Sequence, residues 1–182
     1  MKKVHVFLAD GFEEIEGLTV VDILRRAGAD VTTVSIMGEL TIHGAHGIDV
    51  LADSLFEEAD FTESCMLVLP GGMPGTLHLK EHEGVRNLLL SFREKEKDIA
   101  AICAAPSILG ELGFLKGKKA CSYPSFEDKL EGAEVVREPA VTDGNITTGR
   151  GMGAAIPFAL ALVSVLFGAK KAEEVKKAIV YE

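Results

Sequence analysis

Short apolar runs alternate with amphipathic stretches along the chain, and this alternation predicts strands and helices in turn. The run Val4–Ala9 is closed by Asp10-Gly11, which indicates a buried strand followed by a turn. Apolar residues at helical spacing then lead to Gly28, a good helix stop. A second run, Val31–Ile36, completes a strand–helix–strand unit, which favours parallel strands joined by a right-handed crossover.

The pattern continues to the C-terminus. Two short segments, Leu40–His43 and Ile48–Leu51, are predicted to form a small hairpin appended to the main sheet. Further predicted strands are Cys65–Leu69, Ile99–Ile102, Lys119–Ser122, Glu134–Val136 and Asn145–Thr148, and helices are predicted around 85–92, after Cys103, over 154–167 and over 170–178. We therefore predict one α/β domain over residues 1–182, a doubly wound three-layer sandwich whose mostly parallel sheet has helices on both faces.

Charge and length exclude two classes of partner. The chain has 19 Lys and Arg against 28 Asp and Glu, a net charge of −9 that repels phosphate backbones, so we expect no nucleic acid. Residues 151–169 carry no charge, but their regular part is only about fourteen residues, short of the roughly 20 that a bilayer requires. We expect a buried core helix there and no membrane partner.

Cysteine and histidine spacing argues against a disulfide framework or a metal site. The three cysteines, Cys65, Cys103 and Cys121, are an odd number without C-x-x-C spacing, which favours a reducing compartment and a cytoplasmic location. The five histidines are scattered, without an H-x-x-x-H or H-E-x-x-H pair. We expect no metal.

Cys103 is the leading candidate for chemistry. It lies where the apolar strand Ile99–Ile102 turns directly into a helix, and the carboxyl ends of strands are where the sites of such sheets lie. Ala101 and Ala105 flank it symmetrically, as a sharp nucleophile elbow requires small residues there. Free N–H groups and a helix dipole should lower the pKa of its thiol. The alternative is a buried structural cysteine, the expected role of Cys65 and Cys121.

Two other strand ends carry candidate partners. Glu13 and Glu16 follow the first strand and share a helix face, so one of them could protonate or deprotonate the thiol. Alternatively, they are first-turn acids that complement the helix dipole. Gly71-Gly72 allows close backbone approach, and an N–H there, with that of Ala104, would form an oxyanion hole; the alternative is an ordinary tight turn.

A glycine pattern near the C-terminus resembles a dinucleotide fingerprint. Gly149, Gly151 and Gly153 follow a predicted strand and open a helix. A dinucleotide fold requires a further strand with an acidic residue about 20 positions on, and only a charged helix remains here. We expect no cofactor. We expect the side chain of Arg150 to point toward an anion or a partner chain.

The ordered motifs resemble the ThiJ/PfpI superfamily over nearly the whole chain. They are the run from Asp10 to Glu16, Val21–Gly28, Leu69-Pro70-Gly71-Gly72, and the run from Ala100 to Pro106. Within the superfamily, the chain is most similar to the clade of the Parkinson-associated protein deglycase and its bacterial relatives. The resemblance implies a flavodoxin-like sandwich, shared with class I glutamine amidotransferases, and a homodimer.

The resemblance also implies roles for residues. Cys103 corresponds to an oxidation-prone nucleophile, and Glu16 to the protonated carboxyl that hydrogen-bonds it. Gly72 and Ala104 correspond to the backbone donors, and His46 to a basic residue near the dimer interface. The implied activities are cofactor-free glyoxalase chemistry, deglycation, and redox sensing or chaperoning.

Two departures from the family pattern limit these activities. Protease-like relatives have histidine directly after the nucleophile, and Ala104 here argues against proteolysis. Many deglycase relatives have a histidine before a proline where this chain has Tyr123 before Pro124. A phenol is a poor base at neutral pH, so base catalysis would rest on Glu16 or on the substrate.

Three functions follow from these features. The first is a cysteine-dependent, cofactor-free enzyme acting on small α-oxoaldehydes or glycated proteins, of the glyoxalase III-type lyase or deglycase kind. The second is a non-enzymatic oxidation sensor or stress chaperone that uses the same cysteine. The third is a flavodoxin-like small-molecule binder with a structural cysteine.

Overall fold

A seven-stranded sheet forms the centre of the computed structural model, which describes all residues from 1 to 182. The strands are β1 (Lys3–Leu8), β2 (Asp30–Ser35), β3 (Thr41–His43), β4 (Asp49–Leu51), β5 (Ser54–Leu55), β6 (Ser64–Leu69), β7 (Asp98–Ile102), β8 (Lys119–Ala120), β9 (Glu134–Val135), β10 (Ala140–Asp143) and β11 (Ile146–Gly149). The sheet order is β10-β11-β7-β6-β1-β2-β5, and every pair is parallel except β10–β11.

Six α-helices connect and cover these strands. They are α1 (Glu14–Ala27), α2 (Gly75–Glu81), α3 (Glu83–Glu94), α4 (Pro106–Glu111), α5 (Ala155–Phe167) and α6 (Ala169–Ala178). Short 3-10 helices cover Pro124–Lys129 and Met152–Ala154. No helix combines the length and the apolar composition that crossing a membrane requires.

The alternation of side chains along each strand divides the core into two layers. In β6, Met66 and Val68 pack with residues of α1 and α5, whereas Leu67 and Leu69 pack with residues of α3 and α4. Because both faces of the sheet are covered, its central strands have apolar side chains on both faces rather than only at every second position. The predicted flavodoxin-like three-layer sandwich is confirmed.

The predicted hairpin exists as β3 and β4, which pair with each other and lie outside the main sheet. The hairpin is attached to the loop between β1 and α1. The N–H of Gly11 donates to the carbonyl of His43 at 2.7 Å, and the N–H of Ala45 donates to the carbonyl of Phe12 at 2.9 Å. The hairpin therefore rests on the loop that leads into the first helix.

The structure differs from the predicted elements at three places. Strand β10 was missed because it is a partly exposed edge strand, with no uniform apolar run to mark it. Helix α2 has only seven residues and begins at a glycine, and β5 has only two residues. The predicted strands around 119 and 134 shrink to β8 and β9, which form a separate two-stranded sheet.

Candidate active site

The predicted elbow is present at Cys103. The residue has φ +66°, a left-handed conformation that only a well-supported turn can hold in a side chain of this size. It lies one residue beyond β7, and its N–H donates to the carbonyl of Gly149 at 3.0 Å. Ala101 and Ala105 are fully buried on either side, as the elbow requires. The fold thus fixes the direction of the sulfur through the backbone.

The loop after β6 passes close to this sulfur, and its glycines are needed there. A Cβ on Gly71 would lie 2.5 Å from the Cβ of Cys103 and 2.6 Å from Oε2 of Glu16. Gly72 has φ +92°, and a Cβ there would meet the backbone of Glu13. The N–H groups of Gly72 and Ala104 lie near the Cys103 sulfur and act to lower the pKa of its thiol. The predicted pair of backbone donors therefore faces the thiol.

Glu16 brings a fully buried carboxyl to the same point from the first turn of α1. Its Oε2 accepts a hydrogen bond from the N–H of Gly71 at 2.9 Å. Its Oε1 is buried with no conventional hydrogen-bond partner. The Cys103 thiol lies beside this carboxyl, and the interaction between the two lowers the pKa of Glu16 and raises that of Cys103. The fold thus juxtaposes the acid and the sulfur expected from sequence.

The predicted lowering of the thiol pKa is wrong. Burial raises the pKa of Cys103 to about 12, and the charge of Glu16 and the hydrogen bond to it act in the same direction. The N–H groups of Gly72 and Ala104 lower the pKa, but they do not outweigh these causes. Helix α4 has only six residues and gives a weak dipole. At neutral pH the sulfur beside an ionised Glu16 therefore keeps its proton.

The pKa of Glu16 is raised to about 7, mainly because burial disfavours its charged form. The hydrogen bonds from Cys103 and Gly71 oppose this rise. Glu16 is therefore the group of the pair that ionises near neutrality, and its carboxylate can accept the proton of the thiol. When the pair holds a single proton, that proton therefore lies on the sulfur.

Glu13 and Glu14 turn away from the sulfur and bind His46 in the hairpin loop. Nδ1 of His46 lies 3.1 Å from Oε2 of Glu14 and 3.3 Å from Oε2 of Glu13. The hydrogen bond to Glu14 and the charges of both acids raise the pKa of His46. The N–H of His46 also donates to Glu14 at 2.7 Å. Sequence singled out His46 and Glu13 but not their pairing, which depends on docking of the hairpin.

These three side chains are also the group that could hold a metal ion. Their ligand atoms lie within 4.8 Å of one another. No sequence motif indicates this group, because His46 is 32 positions from Glu14 and outside any ligand-spacing pattern.

Tyr123 and Arg150 lie beside the elbow rather than at the sulfur. The N–H of Tyr123 donates to the carbonyl of Cys103 at 2.8 Å, and its side chain is half exposed. Arg150 follows Gly149, the acceptor of the Cys103 N–H, and Nη2 of Arg150 lies 3.6 Å from Oε1 of Glu127. Glu127 also binds Arg137, and neither Glu127 nor Arg137 was found by sequence reasoning, since no motif connects them with Arg150.

The fold and the site define a class: flavodoxin-like α/β sandwiches with a cysteine on a strand-to-helix elbow. The chain belongs to the DJ-1/PfpI family, whose model matches residues 2–165. The resemblance inferred from the motifs is confirmed.

Individual relatives agree with this assignment. The DJ-1 homolog A of Arabidopsis thaliana is 40% identical over 179 residues, covering 96% of this chain and 45% of that protein, so the chain spans less than half of its length. A protein named a deglycase from Thermococcus kodakarensis is 34% identical, with 83% of this chain and 91% of that protein covered. The solved structure of oxidized Toxoplasma gondii DJ-1 superposes with a TM-score of 0.95 at 33% identity, covering 100% of this chain and 99% of that chain.

Replacing the acid should lower the pKa of the thiol. In Glu16→Gln the negative charge that opposes ionisation of Cys103 is absent, so the midpoint of its alkylation by iodoacetamide should move to lower pH. The measurement is peptide mass spectrometry of the alkylated Cys103 against pH. Glu13→Gln, a nearby acid paired with His46, is the matched control and should shift the midpoint much less. A midpoint that stays or rises in Glu16→Gln contradicts the coupling.

Proposed function

We propose that the chain is a cysteine-dependent, cofactor-free enzyme that acts on α-oxoaldehydes or on early glycation adducts, in the manner of a glyoxalase or deglycase. The observation that carries this proposal is the buried Glu16 carboxyl in contact with the Cys103 thiol and opposite two backbone donors. The relative named a deglycase is consistent with it. Three free cysteines support a reducing, cytoplasmic setting.

The proposed reaction begins within the pair. The Glu16 carboxylate takes the thiol proton as the sulfur of Cys103 attacks the aldehyde carbon of methylglyoxal, forming a C–S bond. The aldehyde oxygen gains negative charge and receives hydrogen bonds from the N–H groups of Gly72 and Ala104. Protonation of that oxygen by Glu16 completes a hemithioacetal. A buried carboxyl with a pKa near 7 suits both directions of this transfer.

The same carboxyl can complete the rearrangement. Glu16 removes the proton from the former aldehyde carbon and returns a proton to the neighbouring carbonyl carbon, while the hydroxyl proton of the hemithioacetal passes to the oxygen of that neighbouring carbon, which gives a lactoyl thioester on Cys103. Water then cleaves the C–S bond, releasing lactate and restoring the thiol. The sum is methylglyoxal plus water to lactate, with no external oxidant or reductant. These steps do not use the side chain of Tyr123. The absence of the histidine that many deglycase relatives have at this place therefore does not prevent them.

Lactate release from methylglyoxal tests this mechanism. Cys103→Ser should lose the activity, and Glu16→Gln should lower kcat at least about a hundredfold because the proton carrier is gone. Cys65→Ser is the control and should keep the wild-type rate, because it changes a half-buried thiol that donates a hydrogen bond to the carbonyl of Lys3. Equal rates in wild type and Cys103→Ser would exclude this cysteine from the mechanism.

The sulfur environment favours a second candidate function, an oxidation sensor or stress chaperone. The Glu16 carboxyl and the N–H groups of Gly72 and Ala104 are placed to hydrogen-bond oxygens added to Cys103. Cys103 is partly exposed, whereas Cys121 is buried. Hydrogen-bond donors are therefore in place to stabilise a sulfinate at Cys103. The Toxoplasma gondii relative has been solved in an oxidized form.

Mild hydrogen peroxide should add two oxygens at Cys103 before the other cysteines react. At Cys103 the Glu16 carboxylate can take the thiol proton and the backbone donors stabilise the sulfinate, whereas the Cys65 thiol donates to the carbonyl of Lys3 and Cys121 is buried beside Thr148. Intact mass and peptide mapping follow the products over time, and Gly72→Ala provides a variant with a disturbed donor loop. Oxidation spread evenly over the three cysteines would contradict the sensor.

We also propose that the chain forms a homodimer through α1 and the hairpin. Ile15 and Leu18 on α1, with Ile48 and Leu51 on the hairpin, are apolar side chains exposed to solvent. The hairpin is joined to the start of α1 by Glu14, which accepts from the N–H of Ile48 at 3.4 Å. These residues therefore belong to adjoining parts of one surface, of the kind that associating subunits cover.

Sedimentation velocity should show a dimer that is weakened by a charge on this surface. Leu51, 73% exposed, can be changed to lysine with little effect on the fold. Leu51→Lys should shift the protein toward monomer, and Leu90→Lys on α3, also an exposed apolar side chain, should not. A monomeric wild type at micromolar concentration would contradict the dimer.

A further inference from the structure

A cavity of about 430 Å³ opens beside the Cys103 elbow and has no part in the mechanism above. Its walls are apolar and glycine residues together with Tyr123, Tyr181, Arg137 and Arg150. The arginines are the only charged residues of the lining. On a chain with a net charge of −9, this is a local positive site.

One carboxylate is already held between the two guanidinium groups. Nη2 of Arg137 lies 3.2 Å from Oε2 of Glu127, and Nη2 of Arg150 lies 3.6 Å from Oε1. Nε of Arg150 is buried and has no hydrogen-bond partner. One carboxylate cannot neutralise two guanidiniums, so positive charge and donor capacity remain. Arginine forks match carboxylate and phosphate groups geometrically.

Two backbone hydrogen bonds connect the lining of this cavity to Cys103, the candidate nucleophile. The N–H of Tyr123, one wall, donates to the carbonyl of Cys103. The N–H of Cys103 donates to the carbonyl of Gly149, which directly precedes Arg150, another lining residue. The cavity therefore adjoins the backbone that supports the elbow.

We propose that this cavity is an anion-binding subsite, in which Arg137 and Arg150 hold the carboxylate or phosphate group of a small ligand. In so far as the proposed function holds, the subsite selects α-oxoaldehydes or adducts that carry an acid group, and it holds that group while the aldehyde carbon reaches Cys103. Glu127 keeps the two guanidiniums in position and competes with the ligand for them.

Tyrosine fluorescence reports on this cavity directly. The chain has two tyrosines and no tryptophan, and both Tyr123 and Tyr181 line the cavity. We would titrate the protein with L-lactate and, separately, with inorganic phosphate at constant ionic strength, using glycerol as the neutral control. A saturable change with either anion and none with glycerol is expected; the anion that binds more tightly identifies the acid group.

Three variants make the assignment specific. Arg150→Gln and Arg137→Gln should each weaken anion binding about tenfold, since each removes a charge-assisted hydrogen bond. Glu127→Gln should tighten binding, because it removes the competing carboxylate. Arg86→Gln, an exposed arginine on α3 outside the cavity, should bind as wild type does. Arg137 is 74% exposed, so its replacement should leave the fold intact even if that of Arg150 does not.

Absence of a saturable change with both anions, or equal affinity in wild type and Arg137→Gln, would overturn the subsite. The same titration on Cys103→Ser separates this inference from the proposed function. Anion binding by Cys103→Ser at wild-type affinity supports the subsite whether or not the wild type releases lactate from methylglyoxal, and its loss in this variant overturns the subsite as an independent binding site.

Discussion

The structure depends on one buried contact, in which the Glu16 carboxyl lies against the Cys103 sulfur. A carboxylate removed from water is costly unless hydrogen bonds compensate it. Gly71 supplies one such bond, and the neighbouring thiol also lowers the pKa of the carboxyl. The surrounding backbone makes this contact possible, through a left-handed cysteine, a glycine loop without room for a side chain, and the first turn of α1. Three strand ends converge to hold two side chains.

The electrostatics of this contact change how the chemistry is understood. A cysteine on an elbow suggests a thiolate at rest, stabilised by dipoles. Here burial raises the pKa of both groups, and the acid ionises before the sulfur does. Because the sulfur keeps its proton while Glu16 is ionised, the proposed reaction needs a proton transfer from the thiol to the carboxylate to generate the nucleophile. In that proposal the backbone donors stabilise the charge that forms during the reaction rather than one already present.

The sequence was sufficient to locate the residues of the candidate site but not to predict their pKa values. Strand periodicity located Cys103, Glu16 and the Gly71-Gly72 loop, because parallel strands bring their carboxyl ends to one edge. The direction of the thiol pKa required the depth of burial and the position of one charge, and neither follows from neighbours in sequence. The pairing of His46 with Glu14, and of Arg150 with Glu127, depends on how the hairpin and the segment after β8 dock. Such contacts produce no periodic pattern of residues in the sequence.

The attachment of the hairpin has a mechanical consequence. Strands β3 and β4 pair only with each other, and their anchors are the loop from Gly11 to Glu14 and the start of α1. That loop leads within two residues to Glu16. The outer surface of the hairpin and the acid are therefore connected by a short segment of backbone. A partner that docks on the hairpin and shifts it would also shift the segment that positions Glu16.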